Sequence, residues 1–367
     1  MKILILCNND VGLYKFRKEL LQEFRNRNYE VTIVLPDGPF VPRLKEMGCR
    51  CIELNFERHG KNPFADFLLF RKYKRIIKEI RPDAVLTYTI KPNIYGGMAC
   101  RLLKVPYLVN ITGLGTALEN PGLMQKICLF LYKIALFKAQ KVFFQNTENR
   151  DFMLGHGVIK GAYDMLPGSG VNLDQYAVYP YPEGETVDFV FIARVMKEKG
   201  IDQYLDAARE IRKRHPETRF HVCGPCENPE YEKKLKELSD DGTVIYHGLV
   251  KDMGPIYRLI SCTVHPTYYP EGLSNVLLES AASGRPIITT DRSGCREVVD
   301  EGLNGFVVRP KDSRNLIDKI EQFLSLSHDE RKKMGLAGRA KVESEFNRNI
   351  VIRKYLDELE TIEKVKL

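Results

Sequence analysis

Over its whole length the chain alternates between short apolar runs and amphipathic stretches, and it does so in two rounds. The runs 2–7, 29–35, 50–54, 83–88, 106–110 and 141–145 read as strands, separated by helical periods at roughly 14–27, 40–47, 64–81, 94–103 and 121–139. Strands that alternate with helices pair in parallel through right-handed crossovers. The pattern pauses at Leu166-Pro167-Gly168-Ser169-Gly170-Val171-Asn172, and the Tyr- and Pro-rich segment 176–182 that follows has the composition of a linker. It restarts with strands at 187–193, 219–223, 244–247, 262–265, 286–290 and 305–308. The expected fold class is therefore α/β, with two Rossmann-like, doubly wound parallel-sheet domains. Their bounds are 1–172 and 187–348, with a linker over 173–186 and an amphipathic helix over 349–367 packing back on the first domain. A length of 367 residues suits two domains. Ligands of open parallel sheets bind beyond the carboxyl ends of the strands, so the natural site is a cleft where two sets of such ends face each other.

Charge is unevenly shared. Residues 1–180 carry 26 Lys and Arg against 16 Asp and Glu, and the remainder carries 30 against 32. A basic first half suits nucleic acid, anionic lipid or a phosphorylated substrate, and equally a merely solvated basic surface. Nucleic acid ranks lowest, since the basic residues are spread out and no recognition motif accompanies them. No apolar run reaches the roughly 18 residues of a membrane span. The apolar start breaks at once into Asn8-Asn9-Asp10, which reads as a buried first strand rather than a signal peptide. A cytoplasmic protein is expected, with its nine cysteines reduced.

Two segments carry chemistry. In the first, Glu271-Gly272-Leu273-Ser274-Asn275-Val276-Leu277-Leu278-Glu279 follows a strand and a Pro-containing turn and opens a helix. The N–H groups at such a helix start, with the helix dipole, form an anion site. One carboxylate stands before the helix and another two turns into it, which suits a phosphate-bearing ligand that also has hydroxyls, such as a nucleotide sugar. A capped core helix with two surface glutamates fits the same spacing. In the second, a strand ends at Ala193, with Arg194 at its carboxyl end and Lys199-Gly200 just before a helix. Two cations in such a loop can hold a pyrophosphate, the arginine by its fork and the lysine as a point charge.

Together these segments resemble the family-4 retaining glycosyltransferases, which have the GT-B architecture of two facing Rossmann-like domains. The resemblance rests on the E-x7-E motif at Glu271 and Glu279, the R-x4-K-G motif at Arg194, Lys199 and Gly200, and the segment Asn110-Ile111-Thr112-Gly113-Leu114-Gly115. Pro167–Asn172 and Asn304-Gly305-Phe306 add to it, and it covers essentially the whole chain. The branch it is most similar to assembles bacterial polysaccharides and glycans on undecaprenyl diphosphate, including N-acetylgalactosaminyl and galacturonosyl transferases.

The resemblance implies roles. Arg194 and Lys199 neutralise the donor pyrophosphate. Backbone N–H groups around Gly272, Leu273, Ser274 and Asn275 bind phosphates and sugar hydroxyls, Glu271 accepts from donor-sugar hydroxyls, and Glu279 grips the ribose. The donor is then a UDP-sugar of hexosamine or uronic-acid type. The acceptor is a lipid-linked saccharide reached at the anionic inner face of the cell membrane, and no cofactor is expected. Many relatives carry a histidine after the strand 83–88, whereas this chain has none between His59 and His156. Lys91, Asn93, Thr112 and Gly113 are candidates for that acceptor or donor-sugar region, and Gly12 for close backbone approach to donor or acceptor. No D-x-D triplet occurs, and with Arg194 and Lys199 present this argues for catalysis without a metal.

Rival readings are weaker. Cys223-Gly224-Pro225-Cys226 has a redox spacing but ends a strand deep in the second sheet. The first turn lacks the G-x-G-x-x-G of a dinucleotide-dependent dehydrogenase. A nucleotide-sugar epimerase of the same architecture is the better enzyme rival. A peripheral membrane scaffold is the non-enzyme rival, motivated by 64–81 and 123–141, which interleave apolar and aromatic residues with lysines. Each of those segments also reads simply as a crossover helix packed on the first sheet.

Overall fold

A computed structural model describes residues 1–57, 62–115, 118 and 120–366. The chain forms two compact units: residues 1–169 with 349–367, and residues 170–348.

The first unit is built on seven parallel strands: β1 (Lys2–Leu6), β2 (Glu30–Leu35), β3 (Arg50–Glu53), β4 (Ala84–Tyr88), β5 (Tyr107–Ile111), β6 (Lys141–Phe144) and β7 (Tyr163–Met165). Their order is β3-β2-β1-β4-β5-β6-β7. Strands with both faces covered need apolar residues throughout. Alternate side chains accordingly enter two cores. Ile3, Ile5, Leu86 and Leu108 pack with Leu20, Leu21 and Phe24 of the helix Asp10–Asn26 and with Tyr355 and Leu359 of the last helix, Arg348–Lys366. Leu4, Leu6, Val85 and Val109 pack with Leu69 and Tyr73 of the helix Pro63–Ile80 and with Tyr132 and Leu136 of the helix Leu123–Leu136.

Several boundaries differ from the sequence expectation, and each has a local cause. The first helix starts at Asp10 rather than near 14, because the Asn9 side chain caps it by accepting from the Gly12 N–H. The helix expected from 94 opens as a π-helical turn, Pro92–Gly96, before becoming regular at Gly97–Leu103. The helix Thr147–Gly155 and β7 carry no legible periodicity, since one buries only Met153 and the other is a three-residue edge strand.

The second unit holds six parallel strands: β8 (Val187–Ile192), β9 (Thr218–Cys223), β10 (Ile245–Gly248), β11 (Cys262–His265), β12 (Ile287–Thr290) and β13 (Gly305–Val308). Their order is β10-β9-β8-β11-β12-β13. In both sheets the winding reverses beside the first strand, at β1/β4 and at β8/β11. A crevice opens at such a point beyond the strand ends, which is where doubly wound folds hold ligands.

The segment read as a linker lies on the second unit. Arg339 Nη1 donates to the Tyr176 carbonyl at 2.7 Å, and the buried Arg285 donates to the carbonyls of Pro180 at 2.8 Å and Tyr179 at 3.3 Å. The Tyr181 hydroxyl donates to the Ser261 carbonyl at 3.0 Å.

Candidate active site

The switch point of the second sheet brings the two sequence motifs together. The loop leaving β8 carries Arg194 to Gly200, and the loop leaving its neighbour β11 carries Pro266 to Ser274. Cross-loop hydrogen bonds fix them to each other. The Tyr268 N–H donates to the Glu198 carbonyl at 2.9 Å, and the Thr267 hydroxyl donates to the same carbonyl at 3.3 Å.

Within this frame the Lys199 ammonium is ion-paired with the Glu271 carboxylate, 72 residues away in sequence. Both side chains are largely buried, so the pair is screened less than a surface one. The ammonium also stands 4.7 Å from the ring centre of Tyr269, a cation–π contact. Gly294 closes the other side. Its φ is +88°, and an added Cβ would stand 2.8 Å from the Gly272 carbonyl oxygen and 2.9 Å from Glu271 Cβ. The Ser274 N–H donates to the Gly294 carbonyl at 2.7 Å. Glu297 holds this turn, accepting from the Gly294 N–H at 2.7 Å and the Ser293 hydroxyl at 3.0 Å.

The helix Asn275–Ala282 opens beside the Lys199–Glu271 pair, and Ser274 gives it no side-chain cap. Its opening N–H groups carry the positive end of the helix dipole, four residues after Glu271 in the chain. Asn275 is partly exposed there, while Gly272, Leu273 and Ser274 are buried. Ser274 departs from the expected phosphate role in one respect, since its N–H is already held by Gly294. Glu279, one turn on, is partly exposed and hydrogen-bonds the Tyr176 hydroxyl. Burial and this carboxylate push the Tyr176 phenol well above its usual range. Arg194 stands exposed just beyond β8, with no ion-pair partner among the described residues. Beneath the site His265, the last residue of β11, is buried, and burial together with the Lys199 charge lowers its pKa to about 3. It is neutral throughout the physiological range.

Sequence reasoning passed over His265, Tyr269, Gly294 and Glu297. Tyr176 it placed in a linker. Their only sequence signals were a polar residue at a strand end and a Ser-Gly turn after β12, neither of them specific.

The first-half candidates have local partners. The Gly12 N–H donates to the Asn9 side chain at 2.6 Å, so its amide serves the helix cap. Lys91 pairs with Asp66 at 2.7 Å, and Tyr95 donates to the other Asp66 oxygen at 2.9 Å. Asn93 is turned into the core, 1% exposed, where its amide donates to the Asn110 carbonyl at 2.9 Å. It is thereby a core hydrogen-bonding residue in this structure, not a loop side chain open to a ligand. Thr112 and Gly113 follow β5 directly and are partly exposed.

Cys223 and Cys226 are both free thiols, and burial raises both, Cys223 to about 12. A redox thiol would be shifted the other way. Among the described residues no three His, Cys, Asp or Glu side chains converge as metal ligands. No described helix is long and apolar enough to cross a membrane.

This arrangement is that of a glycosyltransferase fold. Residues 2–146 match the model of the glycosyl transferase 4-like family, and residues 186–326 that of glycosyl transferases group 1. The chain belongs to the glycosyltransferases, 4-like in its first half and group 1 in its second. It is 26% identical, over 97% of both chains, to the N,N'-diacetylbacillosaminyl-diphospho-undecaprenol alpha-1,3-N-acetylgalactosaminyltransferase of Campylobacter jejuni. It is 25% identical to the capsular polysaccharide biosynthesis glycosyltransferase CapM of Staphylococcus aureus, over 95% of this chain and 93% of that one. The solved glycosyltransferase of Rickettsia africae matches it with a TM-score of 0.83 and 21% identity, over 99% and 98% of the two chains. Anabaena HepE, solved with UDP and glucose, matches with a TM-score of 0.81 and 17% identity, over 98% and 100%. The two parallel-sheet units have the GT-B glycosyltransferase fold.

Proposed function

We propose that the chain transfers a hexosamine- or uronic-acid-type sugar from a UDP-sugar to a saccharide carried on a polyprenyl diphosphate, with retention of anomeric configuration and without a metal. The observation that carries the reading is the Lys199–Glu271 pair beside the uncapped start of the helix Asn275–Ala282. A fixed ammonium and a set of amide donors there match the pyrophosphate of a nucleotide sugar, and a diol-accepting carboxylate matches its sugar hydroxyls. The likeness to the Campylobacter enzyme over 97% of both chains supports the lipid-linked acceptor.

In this reading Lys199 and Arg194 meet the donor pyrophosphate. Negative charge grows on the departing phosphate as the glycosidic bond breaks. Cations fixed there stabilise the transition state more than the ground state, which raises the rate rather than merely the affinity. Donor binding must loosen the Lys199–Glu271 pair, with phosphate replacing the carboxylate at Lys199 and sugar hydroxyls replacing the ammonium at Glu271. Glu279 takes the ribose hydroxyls, displacing Tyr176. The donor phosphate accepts the proton of the acceptor hydroxyl.

The basic first unit meets the anionic inner face of the membrane. Phe64 and Phe67 on one helix and Leu123 and Phe130 on another are 69%, 53%, 75% and 63% exposed. Both helices pack against the same side of the first sheet, and lysines flank these residues. Exposed rings among cations suit an anionic lipid interface.

The test is a thermal shift of the full chain with UDP, GDP and NAD, each with and without EDTA. A UDP-selective rise that survives EDTA is expected. Saturation at about 100 times the dissociation constant adds roughly 2.7 kcal/mol. A shift with NAD alone, or one abolished by EDTA, would overturn the donor or the metal-free part of the reading respectively.

A further inference from the structure

Ser274 stands where a helix usually receives its cap. A serine before the first turn normally turns its hydroxyl onto an N–H two or three residues on. Its backbone angles, φ −74° and ψ 109°, are extended as that role requires, yet it makes no capping hydrogen bond. Its hydroxyl lies 3.3 Å from Nε2 of His265 instead. Its own N–H donates to the Gly294 carbonyl at 2.7 Å. The hydroxyl and the N–H of the serine are therefore both held by groups outside the helix.

His265 is placed to do this. It ends β11 and is 1% exposed, and its carbonyl accepts from the Thr289 hydroxyl at 2.9 Å. Its Nδ1 has no hydrogen-bond partner among the described residues. A sealed imidazole with one nitrogen unpartnered costs free energy that an aliphatic side chain of similar size would not. The contact with Ser274 is what the imidazole adds over such a side chain. Burial, and after it the Lys199 charge, keep the ring neutral, so the contact persists across the working pH range.

We propose that His265 is a positioning residue for the donor. By engaging the Ser274 hydroxyl it keeps the opening N–H groups of the helix Asn275–Ala282 uncapped, so that the phosphates of a nucleoside diphosphate satisfy them instead of the chain's own serine. This rests on the donor-site reading above. His265 touches no substrate and acts only through Ser274.

The experiment is calorimetric titration of UDP into the full-length wild type, His265→Leu, Ser274→Ala and the double variant. With Ser274 present, His265→Leu frees the hydroxyl to cap the helix, and UDP must then displace it. Affinity is expected to fall about fivefold, the equivalent of one capping hydrogen bond. In the Ser274→Ala background the same histidine change should alter affinity by less than about twofold, because no hydroxyl remains to compete. Equal weakening in both backgrounds would show that His265 acts by packing, and would overturn the proposal, as would no weakening in either. Should His265→Leu fail to fold, His265→Asn, too short to reach Ser274, replaces it with the same expectations. A wild-type chain that does not bind UDP would overturn the donor-site reading and this proposal with it. Wild-type binding without the background dependence overturns this proposal alone.

Discussion

Gly200 lies directly against the carbonyl of Pro266. With φ at +80°, a Cβ at position 200 would stand 2.1 Å from that oxygen. The glycine after Lys199 is thus a point of close backbone contact between the loop leaving β8 and the loop leaving β11. Gly200→Ala must push the two loops apart and strain the backbone, and Lys199 moves with its loop. A loss of about 1–3 kcal/mol of stability is expected, with transfer activity down by more than stability alone explains. Melting temperature and kcat/KM measured together separate the two effects. Full activity in a destabilised variant would contradict the placement of Lys199.

Lys199→Ala and Glu271→Ala should each cut transfer by about a hundredfold or more while leaving the fold intact. Removing a single group fixed on transition-state charge costs roughly 2.7–4 kcal/mol. Kinetics with a UDP-sugar and a polyprenyl-diphosphate acceptor provide the check. Normal turnover in both variants would refute the site.

Glu279→Ala should act mainly on nucleotide affinity. A hydrogen bond to a charged group is worth about 1.5–3 kcal/mol, or roughly ten- to a hundredfold in the dissociation constant of UDP. Calorimetry reads this directly, and an unaltered constant would remove Glu279 from the ribose role.

Acid should weaken the second unit through His265. Its pKa is about 3 in the folded chain against 6.5 for the free group. Above 6.5 neither state binds the proton and the folded chain keeps its full stability. As pH falls from 6.5 towards 3, the unfolded chain takes up a proton that the folded chain refuses, so stability drops by up to ~1.4 kcal/mol per pH unit. His265→Gln removes that slope. Between about pH 7 and about pH 5 the wild type should lose roughly 1–2 kcal/mol more than the variant in urea denaturation. Equal losses would assign the acid sensitivity to other groups.

Arg285→Met should loosen the Tyr- and Pro-rich segment. The guanidinium is wholly buried, burial lowers its pKa to about 10, and it donates to the carbonyls of Tyr257, Tyr179 and Pro180. Losing those bonds strands buried carbonyls, at a cost of about 3 kcal/mol. Limited proteolysis should then cut within 176–182 far faster than in the wild type. Equal protection would mean that Arg339 and Tyr181 suffice to hold the segment.

By itself the sequence determined the two rounds of strand and helix, since a strand buried on both faces must be apolar throughout and that pattern is local. It also determined that Arg194 to Gly200 and Glu271 to Glu279 follow strands, because a strand's end and a helix's start are written in consecutive residues. Which strands lie side by side is not written there. Only the tertiary structure set β8 against β11, and with them Lys199 against Glu271 and Gly200 against Pro266. Only it turned the Ser274 hydroxyl to His265, drew Asn93 into the core, and laid the supposed linker on the second unit through Arg285 and Arg339. Those pairings join residues far apart in the chain, and a side chain's partner is fixed by sheet order and packing rather than by its neighbours in sequence.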